Sequence, residues 1–380
     1  MSHYPTFSHT EMRRRRAAVE ALIDEVGVDR VIVYGANRSG SAVQWLTGWP
    51  VTREAAAVFG AGERDTLFVQ FYNHLPLARQ LAASADVRWG NQSTIASAVE
   101  ELCRRGGPRQ RVGVIGPVPL TAGALLAEQT AEIVDLSARY TRLRLVKSAE
   151  ELDWMRAGAR LSDAGMLALR AQLHSGLREH ELADIVERAY VPHGGTTQIH
   201  YFGVTSMTAP DRCVPAQFTS DRRVAPGDAV TLELSAQHWG YAGQVLRTFA
   251  VEAEPTPLYR ELHDVADAAF DAVVAMLRDG ATAQAVVEAA SVIEDAGYTT
   301  WDDLVHGYGG GYLPPVIGSR SRPAGPLPSL RLAAGMTVVV QPNVVTRDGT
   351  AGVQTGELVL VTSDGVESLH NVPRGLWRVG

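Results

Sequence analysis

Cysteine is scarce in this sequence. The 380 residues include two cysteines, Cys103 and Cys213, which lie far apart in the chain. A pair this distant does not make the disulfide framework that holds small secreted domains together. The first residues also lack a charged leader followed by an apolar core, so no signal peptide is visible. We therefore expect a protein of a reducing compartment, the cytoplasm.

Long apolar runs and an excess of positive charge are also missing. No stretch of about 18 consecutive apolar residues occurs, so we expect no membrane-spanning helix. The formal net charge is -7, and an acidic protein lacks the positive field that phosphate binding needs. The one basic run, residues 13–16, falls at a predicted helix start and is interpreted as a solvated helix face. Neither a nucleic-acid nor a membrane partner is expected.

The first part of the chain alternates short β-rich runs with helical patterns. Strand patterns occupy residues 30–35, 65–71 and 110–117. A helical pattern between them begins after Ser93, whose hydroxyl is suited to cap a helix N-terminus. Alternation of this kind predicts an α/β domain, which we assign to residues 1–142.

A second part, residues 143–380, has a different order of elements. A long helix is predicted to begin after Ser148, because Glu151 follows at the spacing of a capping box. Strands and helices then segregate, which indicates an α+β arrangement. The further helices are predicted at 182–190, 257–277 and 282–296, and the strands at 230–235, 244–250, 337–341 and 357–362.

Two neighbouring stretches carry the most information, GDAVTLE at residues 227–233 and GYAGQVLRTF at 240–249. Further short motifs are WLTGW at 45–49, KSAEE at 147–151, SDRRV at 220–224, GM at 335–336 before QP at 341–342, and GV at 352–353 before VLVT at 359–362. Together, in this order, they resemble the creatinase–prolidase branch of the "pita-bread" proteins, an M24-like peptidase family that includes aminopeptidase P. The resemblance implies an α+β fold, with a C-terminal pita-bread (creatinase/aminopeptidase) domain preceded by a smaller α/β creatinase-type N-terminal domain.

The metal-dependent members of that family hold a pair of divalent ions. By resemblance, the ligand positions fall on Glu233, Gln244, His306, Gln341 and Gly356, with Glu357 beside the last. Neutral amides are poor ligands and glycine supplies none, whereas two divalent ions need several charged carboxylates. The sequence therefore predicts a branch without the metal ligands, and no metal or other cofactor is expected.

The replacements at this site are polar. Gln244, Gln341, Gln354, Glu233 and His306 are expected to converge on one cavity if the implied fold is right. An abandoned cavity would be expected to fill with apolar side chains, because each buried unsatisfied polar group costs about 1–3 kcal/mol. We interpret the cavity as repurposed for a small polar molecule.

Glu233, His306 and Glu357 are the candidate catalytic residues. A carboxylate in a partly desolvated pocket has a raised pKa, which suits acid–base work near neutral pH, and it can also act as a nucleophile. Two alternatives stay open. In the first, Glu233 forms an ion pair with Arg247 on the neighbouring strand. In the second, His306 serves only to make hydrogen bonds in the glycine-rich turn that follows it.

A larger set of residues is assigned to substrate binding: His200, Tyr201, Tyr241, Gln244, Arg247, Tyr308, Tyr312, Gln341 and Gln354. For His200, Tyr241 and Tyr308, packing in the core is an equal alternative.

The resemblance also bears on assembly. In creatinase-like dimers, the N-terminal domain of one subunit reaches over the active site of the other. The resemblance therefore predicts a homodimer. It makes Trp49, Arg53 and His74 candidates for a lid over the substrate, with a purely structural role as the alternative.

These inferences lead to one main functional hypothesis and two alternatives. The main one is a metal-independent, creatinase-like hydrolase or lyase that acts on a C–N bond of a small polar compound of guanidino, amidine or cyclic amide type. Creatine itself is not expected, because Ala216 stands where creatinase has its catalytic histidine. The first alternative is a non-catalytic protein that binds a ligand or partner on a peptidase scaffold. The less favoured one is a metal-dependent Xaa-Pro aminopeptidase or prolidase.

Overall fold

The computed structural model describes residues 3–37, 40–107 and 109–380. The chain divides into two compact units, Met1–Arg144 and Leu145–Gly380, and each is described by itself. Within the described ranges, no helix combines the length and the apolar character needed to cross a membrane.

A mixed sheet forms the centre of the first unit. Its strands are β1 (Arg30–Ala36), β2 (Glu54–Phe59), β3 (Thr66–Val69), β4 (Asp86–Trp89), β5 (Arg111–Ile115) and β6 (Glu132–Asp135). They lie in the order β4-β3-β2-β1-β5-β6. Strand β1 pairs antiparallel with β2 and parallel with β5, and its inner residues are all buried. The apolar run predicted as a strand at 30–35 is therefore confirmed.

The helices of the first unit are α1 (His9–Val26), α2 (Ser41–Thr47), α3 (Leu75–Leu81), α4 (Thr94–Gly106), α5 (Leu120–Gln129) and α6 (Ser137–Leu143). Helix α4 buries Ile95, Val99 and Leu102 in one apolar cluster with residues of β1, β2 and β5. The Ser93 hydroxyl accepts a hydrogen bond from the Ala96 amide at 3.3 Å. The predicted N-cap of this helix is confirmed.

A larger, mostly antiparallel sheet forms the second unit. Its strands are β7 (Thr196–Ser206), β8 (Asp228–His238), β9 (Tyr241–Val251), β11 (Val305–Gly309), β12 (Gly311–Ile317), β13 (Thr337–Val340), β15 (Gly356–Val361), β16 (Val366–Ser368) and β17 (Leu376–Val379), and β10 (Thr299–Thr300) pairs separately with β14 (Val344–Val345). The main order is β12-β11-β13-β15-β9-β8-β7. Trp239 and Gly240, both with positive φ, make the tight turn between β8 and β9.

The helices of the second unit are α7 (Ala149–Gln172), α8 (Glu179–Tyr190), α9 (Pro257–Met276), α10 (Ala283–Ala289) and α11 (Val292–Asp295). Helix α7 begins with the predicted capping box. The Ser148 hydroxyl accepts from the Glu151 amide at 3.2 Å, and the Glu151 carboxylate accepts from the Ser148 amide at 3.0 Å. This prediction is confirmed.

Helix α7 packs against β9 at unusually close range. A Cβ atom added to Gly158 would lie 2.5 Å from the Tyr241 carbonyl oxygen, and one added to Gly243 would lie 2.3 Å from the Ala159 Cα. Only glycine at these two positions lets the helix and strand backbones approach this closely. The contact fixes which face of β9 the helix covers.

The two faces of β8 and β9 have different roles. Leu232, Leu234 and Val245 pack in an apolar cluster with residues of α7 and α8. Side chains alternate along a strand, so Glu233 and Gln244 point to the opposite face, where they line a cavity. The alternation places polar groups on one face without disturbing the core on the other.

Two parts of the second unit differ from the sequence-based expectation. Strand β7 was not predicted, because the first half of the strand is only partly buried and shows no clear apolar alternation. The single helix predicted at 282–296 is two short helices. They separate near Ala290, whose ψ of 0° departs from helical geometry.

Candidate functional site

A cavity of about 280 Å³ opens on the polar face of β8 and β9 in the second unit. Strands β7, β8, β9, β11 and β12 and three loops contribute its walls. The lining residues are Gln198, Ile199, Tyr201, Val214, Pro215, Gln217, Glu233, Gln244, Asp302, Asp303, His306, Tyr308, Tyr312 and Gln341. The structure thus brings together seven of the residues assigned to the site from the sequence, and adds an acidic pair that the sequence analysis missed.

Glu233 lies in the wall formed by β8. Burial, together with the nearby charges of Asp302 and Asp303, raises the pKa of its carboxyl from an ordinary 4.5 to about 8. The Gln244 Nε2 donates a hydrogen bond to the Glu233 Oε1 at 2.6 Å. At neutral pH this carboxyl is therefore mostly protonated, and it can donate a proton.

Asp302 and Asp303 lie in the loop just before β11. The Asn343 Nδ2 donates to the Asp302 Oδ2 at 3.1 Å, and the Tyr312 hydroxyl donates to the Asp303 Oδ2 at 2.5 Å. Burial raises the pKa of Asp302, and the charge of Asp303 adds to this effect. The sequence offered one signal for this pair, two adjacent acids before the glycine-rich hairpin, but loop residues have no periodicity that would mark them as cavity-lining.

His306 lies on β11 between two tyrosines. Its ring stacks on Tyr312 with a centroid separation of 4.2 Å and meets the edge of Tyr308 at 5.4 Å. Its Nδ1 lies 3.2 Å from the Gly307 carbonyl oxygen. Burial lowers the pKa of the imidazole, although the Asp303 charge acts in the opposite direction. The ring is therefore neutral at pH 7 and able to accept a proton.

Two amide side chains connect the Glu233 carboxyl to the backbone of Asp303. The Gln244 Nε2 also lies 3.2 Å from the Gln341 Oε1, and the Gln341 Nε2 donates to the Asp303 carbonyl oxygen at 3.2 Å. Amides can donate and accept without carrying charge. The hydrogen bonds from Glu233 through Gln244 to Gln341 therefore hold these side chains in the cavity wall without neutralising any carboxylate.

These side chains do not fit a pair of divalent metal ions. Among the residues described, no group of three or more His, Cys, Asp and Glu side chains is arranged to hold a metal ion. Of the positions that the resemblance assigns to metal ligands, Gln244 and Gln341 carry neutral amides, which are poor ligands, and Gly356 carries no side chain. A side chain at Gly356 would also collide with the backbone, because its Cβ would lie 2.4 Å from the Val340 carbonyl oxygen.

Glu357 and Arg247 lie on the other face of the sheet, which corrects two of the site assignments. The Arg247 Nη2 donates to the Glu357 Oε2 at 2.7 Å, and the Ser368 hydroxyl donates to the Glu357 Oε1 at 2.7 Å. Arg247 is fully buried and also donates to the carbonyl oxygens of Gly356 and Val372. Strand alternation is the reason, since Glu357 is the cross-strand partner of Val245, which packs toward the helices.

The same alternation excludes the suggested pairing of Glu233 with Arg247. Glu233 lies opposite Leu246 in the ladder, while Arg247 lies opposite Leu232. The two side chains therefore point to opposite faces, and the positive charge of Arg247 does not reach the cavity.

Three other residues assigned to substrate binding lie outside the cavity wall. The Tyr241 hydroxyl donates to the Glu151 carboxylate at 2.9 Å. The His200 Nδ1 lies 3.1 Å from the Glu187 carboxylate, on the face of β7 opposite Tyr201. Gln354 is fully buried beside Asp302, and its amide lowers the pKa of the Asp302 carboxyl.

The lid candidates belong to the first unit. Trp49 is buried and packs near His74, with ring centroids 6.2 Å apart. The His74 Nδ1 lies 3.0 Å from the Thr52 hydroxyl, and Arg53 is exposed. The lid role and the homodimer on which it depends stay predictions.

The sequence matches the model of metallopeptidase family M24 over residues 153–363, more than half of the chain. The chain therefore belongs to this family. A solved structure, dipeptidase PepE from Mycobacterium ulcerans, is 25% identical, covers 99% of this chain and 100% of its own, and superposes with a TM-score of 0.82. The predicted fold is confirmed, a pita-bread domain preceded by a smaller α/β domain.

Two relatives add detail on the family. The chain is 24% identical over 365 residues to the uncharacterized peptidase YqhT of Bacillus subtilis, covering 93% of this chain and 97% of that protein. It is 25% identical over 240 residues to an Xaa-Pro dipeptidase of Pyrococcus furiosus, covering 62% of this chain and 65% of that protein. All these relatives are named as peptidases or dipeptidases, and such enzymes are hydrolases.

These comparisons contradict the main functional expectation. The sequence analysis favoured a metal-independent, creatinase-like enzyme for guanidino, amidine or cyclic amide compounds and doubted peptidase activity. The relatives are peptidases of a metallopeptidase family, so that prediction is wrong. The likeness to the dipeptidases extends over 99% of the chain, whereas the absent ligands concern the three positions Gln244, Gln341 and Gly356.

Proposed function

We propose that this protein is a hydrolase that acts on short peptides, the class of compound for which its relatives are named. The observation that carries the proposal is the cavity on the polar face of β8 and β9, in which a protonated carboxyl and a neutral imidazole occur together. Its volume of about 280 Å³ suits a ligand of about two residues. Family membership supplies the substrate class, and the cavity supplies the groups that move protons.

Peptide hydrolysis needs a proton acceptor for the attacking water and a proton donor for the leaving nitrogen. The His306 imidazole, neutral at pH 7, is suited to accept the water proton. Glu233, protonated at pH 7, is suited to donate its proton to the leaving nitrogen as the C–N bond breaks. Environments that push two pKa values apart in this way are typical of acid–base pairs. No step is assigned to a metal, because the donors present do not fit the metal pair of the family.

The test is release of proline from Ala-Pro, Gly-Pro and Leu-Pro by the purified protein. Each reaction is run in the presence of a chelator and again with added Mn²⁺ or Co²⁺. The Glu233→Gln variant should lose about 100-fold or more in rate, the contribution typical of a positioned acid. Asp264→Asn, a change at an exposed helix position, should leave the rate unchanged. Absence of release from every peptide in every condition would overturn the proposal.

A second candidate is favoured by the amides at Gln244 and Gln341, which stand at ligand positions of the metal-dependent members. A protein that binds short peptides without cleaving them would have the same cavity. Calorimetry that shows binding of Ala-Pro, with no proline released, would select this candidate over the hydrolase. The homodimer and the cytoplasmic location expected from the sequence are part of the proposal under either candidate.

A further inference from the structure

Hydrolysis of a peptide bond places a negative charge on the carbonyl oxygen when water adds to the carbonyl carbon. Enzymes stabilise this oxyanion with hydrogen-bond donors, cationic side chains or metal ions that are already in position. The donors of this cavity do not fit the metal pair of the family, and none of the described residues that line it is a lysine or arginine. The charge therefore requires neutral hydrogen-bond donors in the cavity wall.

Several neutral donors in the wall already have acceptors. The Gln244 Nε2 donates to the Glu233 Oε1 at 2.6 Å and lies 3.2 Å from the Gln341 Oε1. The Gln341 Nε2 donates to the Asp303 carbonyl oxygen at 3.2 Å, and the Tyr312 hydroxyl donates to the Asp303 Oδ2 at 2.5 Å. Each of these groups would lose a partner by turning toward a ligand.

Tyr308 lies between the proposed proton acceptor and the proposed proton donor. It follows His306 by two residues on β11, so both side chains are on the face that lines the cavity. The two rings meet edge to face with centroids 5.4 Å apart. Tyr308 is also close enough to Glu233 for the charge of that carboxylate to raise the pKa of the Tyr308 hydroxyl. A carbonyl group that both His306 and Glu233 can serve is therefore within reach of Tyr308.

The surroundings of the Tyr308 hydroxyl keep it as a hydrogen-bond donor. Burial of the side chain, which is 4% exposed, raises the pKa of the hydroxyl, so the proton stays on the phenol oxygen at neutral pH. The hydroxyl of Ser235, a fully buried residue of β8, lowers this pKa by donating a hydrogen bond to the phenol oxygen. Because Ser235 is the donor in that pair, the proton of Tyr308 is left for a ligand in the cavity.

We propose that the Tyr308 hydroxyl donates a hydrogen bond to the carbonyl oxygen of the bond being cleaved and stabilises it as the oxyanion. Water adds to the carbonyl carbon and gives one proton to His306, while the π electrons of the C=O bond move to the oxygen. As the carbonyl re-forms, the C–N bond breaks, and the nitrogen keeps the electron pair and takes the proton of Glu233. The proton on His306 then returns to Glu233 through solvent. Tyr308 keeps its own proton throughout, and this role rests on the proposed function.

The experiment compares the wild-type protein with Tyr308→Phe, which removes the hydroxyl and keeps the ring. Calorimetry measures binding of Ala-Pro and of its phosphinic analogue, in which a tetrahedral, negatively charged phosphinate replaces the carbonyl group. The wild type should bind the analogue about tenfold or more tightly than Ala-Pro, because the analogue resembles the transition state. The variant should lose about tenfold or more in affinity for the analogue and less than about threefold for Ala-Pro.

Proline release from Ala-Pro gives a second readout. In Tyr308→Phe the kcat should fall about 100-fold or more with KM almost unchanged, because the hydrogen bond gains its strength in the transition state. Tyr298→Phe removes the same group from a residue outside the cavity wall and should change neither constant.

Circular dichroism checks that each variant is folded. Ser235→Ala keeps the phenol of Tyr308 and tests the same donor if Tyr308→Phe does not fold. Loss of the hydrogen bond that orients the phenol should lower the affinity for the analogue about fivefold.

The outcomes separate this inference from the proposed function. Preference for the analogue that depends on Tyr308, without proline release by the wild type, supports the donor and rejects the hydrolase. Proline release that Tyr308→Phe leaves unchanged supports the hydrolase and overturns the donor. Equal losses of affinity for Ala-Pro and for the analogue also overturn it, because the hydroxyl would then bind the ground state equally well. Absence of binding of the analogue by the wild type, or unchanged affinity in whichever variants fold, overturns it as well.

Discussion

Replacing Glu233 by glutamine should remove a large pH dependence from the stability of the protein. The folded protein holds the Glu233 pKa at about 8, compared with an ordinary 4.5. Between these two values the folded state retains the proton and the unfolded state has lost it. The stability that this group contributes is therefore complete below pH 4.5, and it is lost as the pH rises through 8.

The magnitude follows from the linkage relation. Each pH unit in this window changes the free energy of unfolding by about 1.4 kcal/mol. Between pH 5 and pH 8 the wild-type protein should therefore lose about 4 kcal/mol through Glu233 alone. Glutamine has no such titration, and its carbonyl can still accept the hydrogen bond that Gln244 donates to Glu233 at 2.6 Å. The free energy of unfolding of the variant, relative to that of the wild type, should therefore rise by about 4 kcal/mol between pH 5 and pH 8.

The assay is urea unfolding followed by circular dichroism at pH 5, 6, 7 and 8, with wild type and variant measured in parallel. Other titrating groups are common to both proteins, so the difference between them isolates Glu233. Glu128→Gln, at an exposed position of α5, is the control. Its free energy of unfolding should differ from that of the wild type by the same amount at every pH. If the difference for Glu233→Gln also stays constant within about 1 kcal/mol, the raised pKa and the proton-donor role derived from it are refuted.

Three further changes test the packing around the site by urea unfolding. Arg247→Met should destabilise the protein by about 3–5 kcal/mol, because it leaves the Glu357 carboxylate buried without its cation; an unchanged midpoint would contradict the pairing. Gly243→Ala should cost about 1–3 kcal/mol through the clash with Ala159, and a neutral result would show that α7 can move away from β9. Ser148→Ala should cost about 1 kcal/mol by removing one half of the capping box, whereas a loss below about 0.3 kcal/mol would show that the box is dispensable.

Much of the second unit could be predicted from local signals. The capping box at Ser148 and the strand runs on β8 and β9 are encoded within a few residues each. The resemblance to the pita-bread proteins then placed Glu233 and His306 in one cavity. Strand β7 escaped prediction because its partly buried first half lacks the alternation that identifies strands.

The errors at the site have two different physical origins. Glu357 and Arg247 were assigned to the cavity although strand parity puts Arg247, three residues after Gln244, on the opposite face. Strand parity can be read from the sequence, because it depends only on the spacing of the two residues along the strand. Asp302 and Asp303 were missed for another reason, since they occupy a loop, and only the tertiary structure shows that the loop turns toward Glu233.

The close approach of Gly356 to β13 has a consequence for the engineering of a metal site in this chain. Restoring carboxylates at Gln244 and Gln341 would repair two positions by simple side-chain exchange. A third carboxylate at position 356 has no room, because its Cβ would lie 2.4 Å from the Val340 carbonyl oxygen. A metal ligand at position 356 therefore requires the backbones of β13 and β15 to move apart, a change that no side-chain exchange at Gln244 or Gln341 supplies.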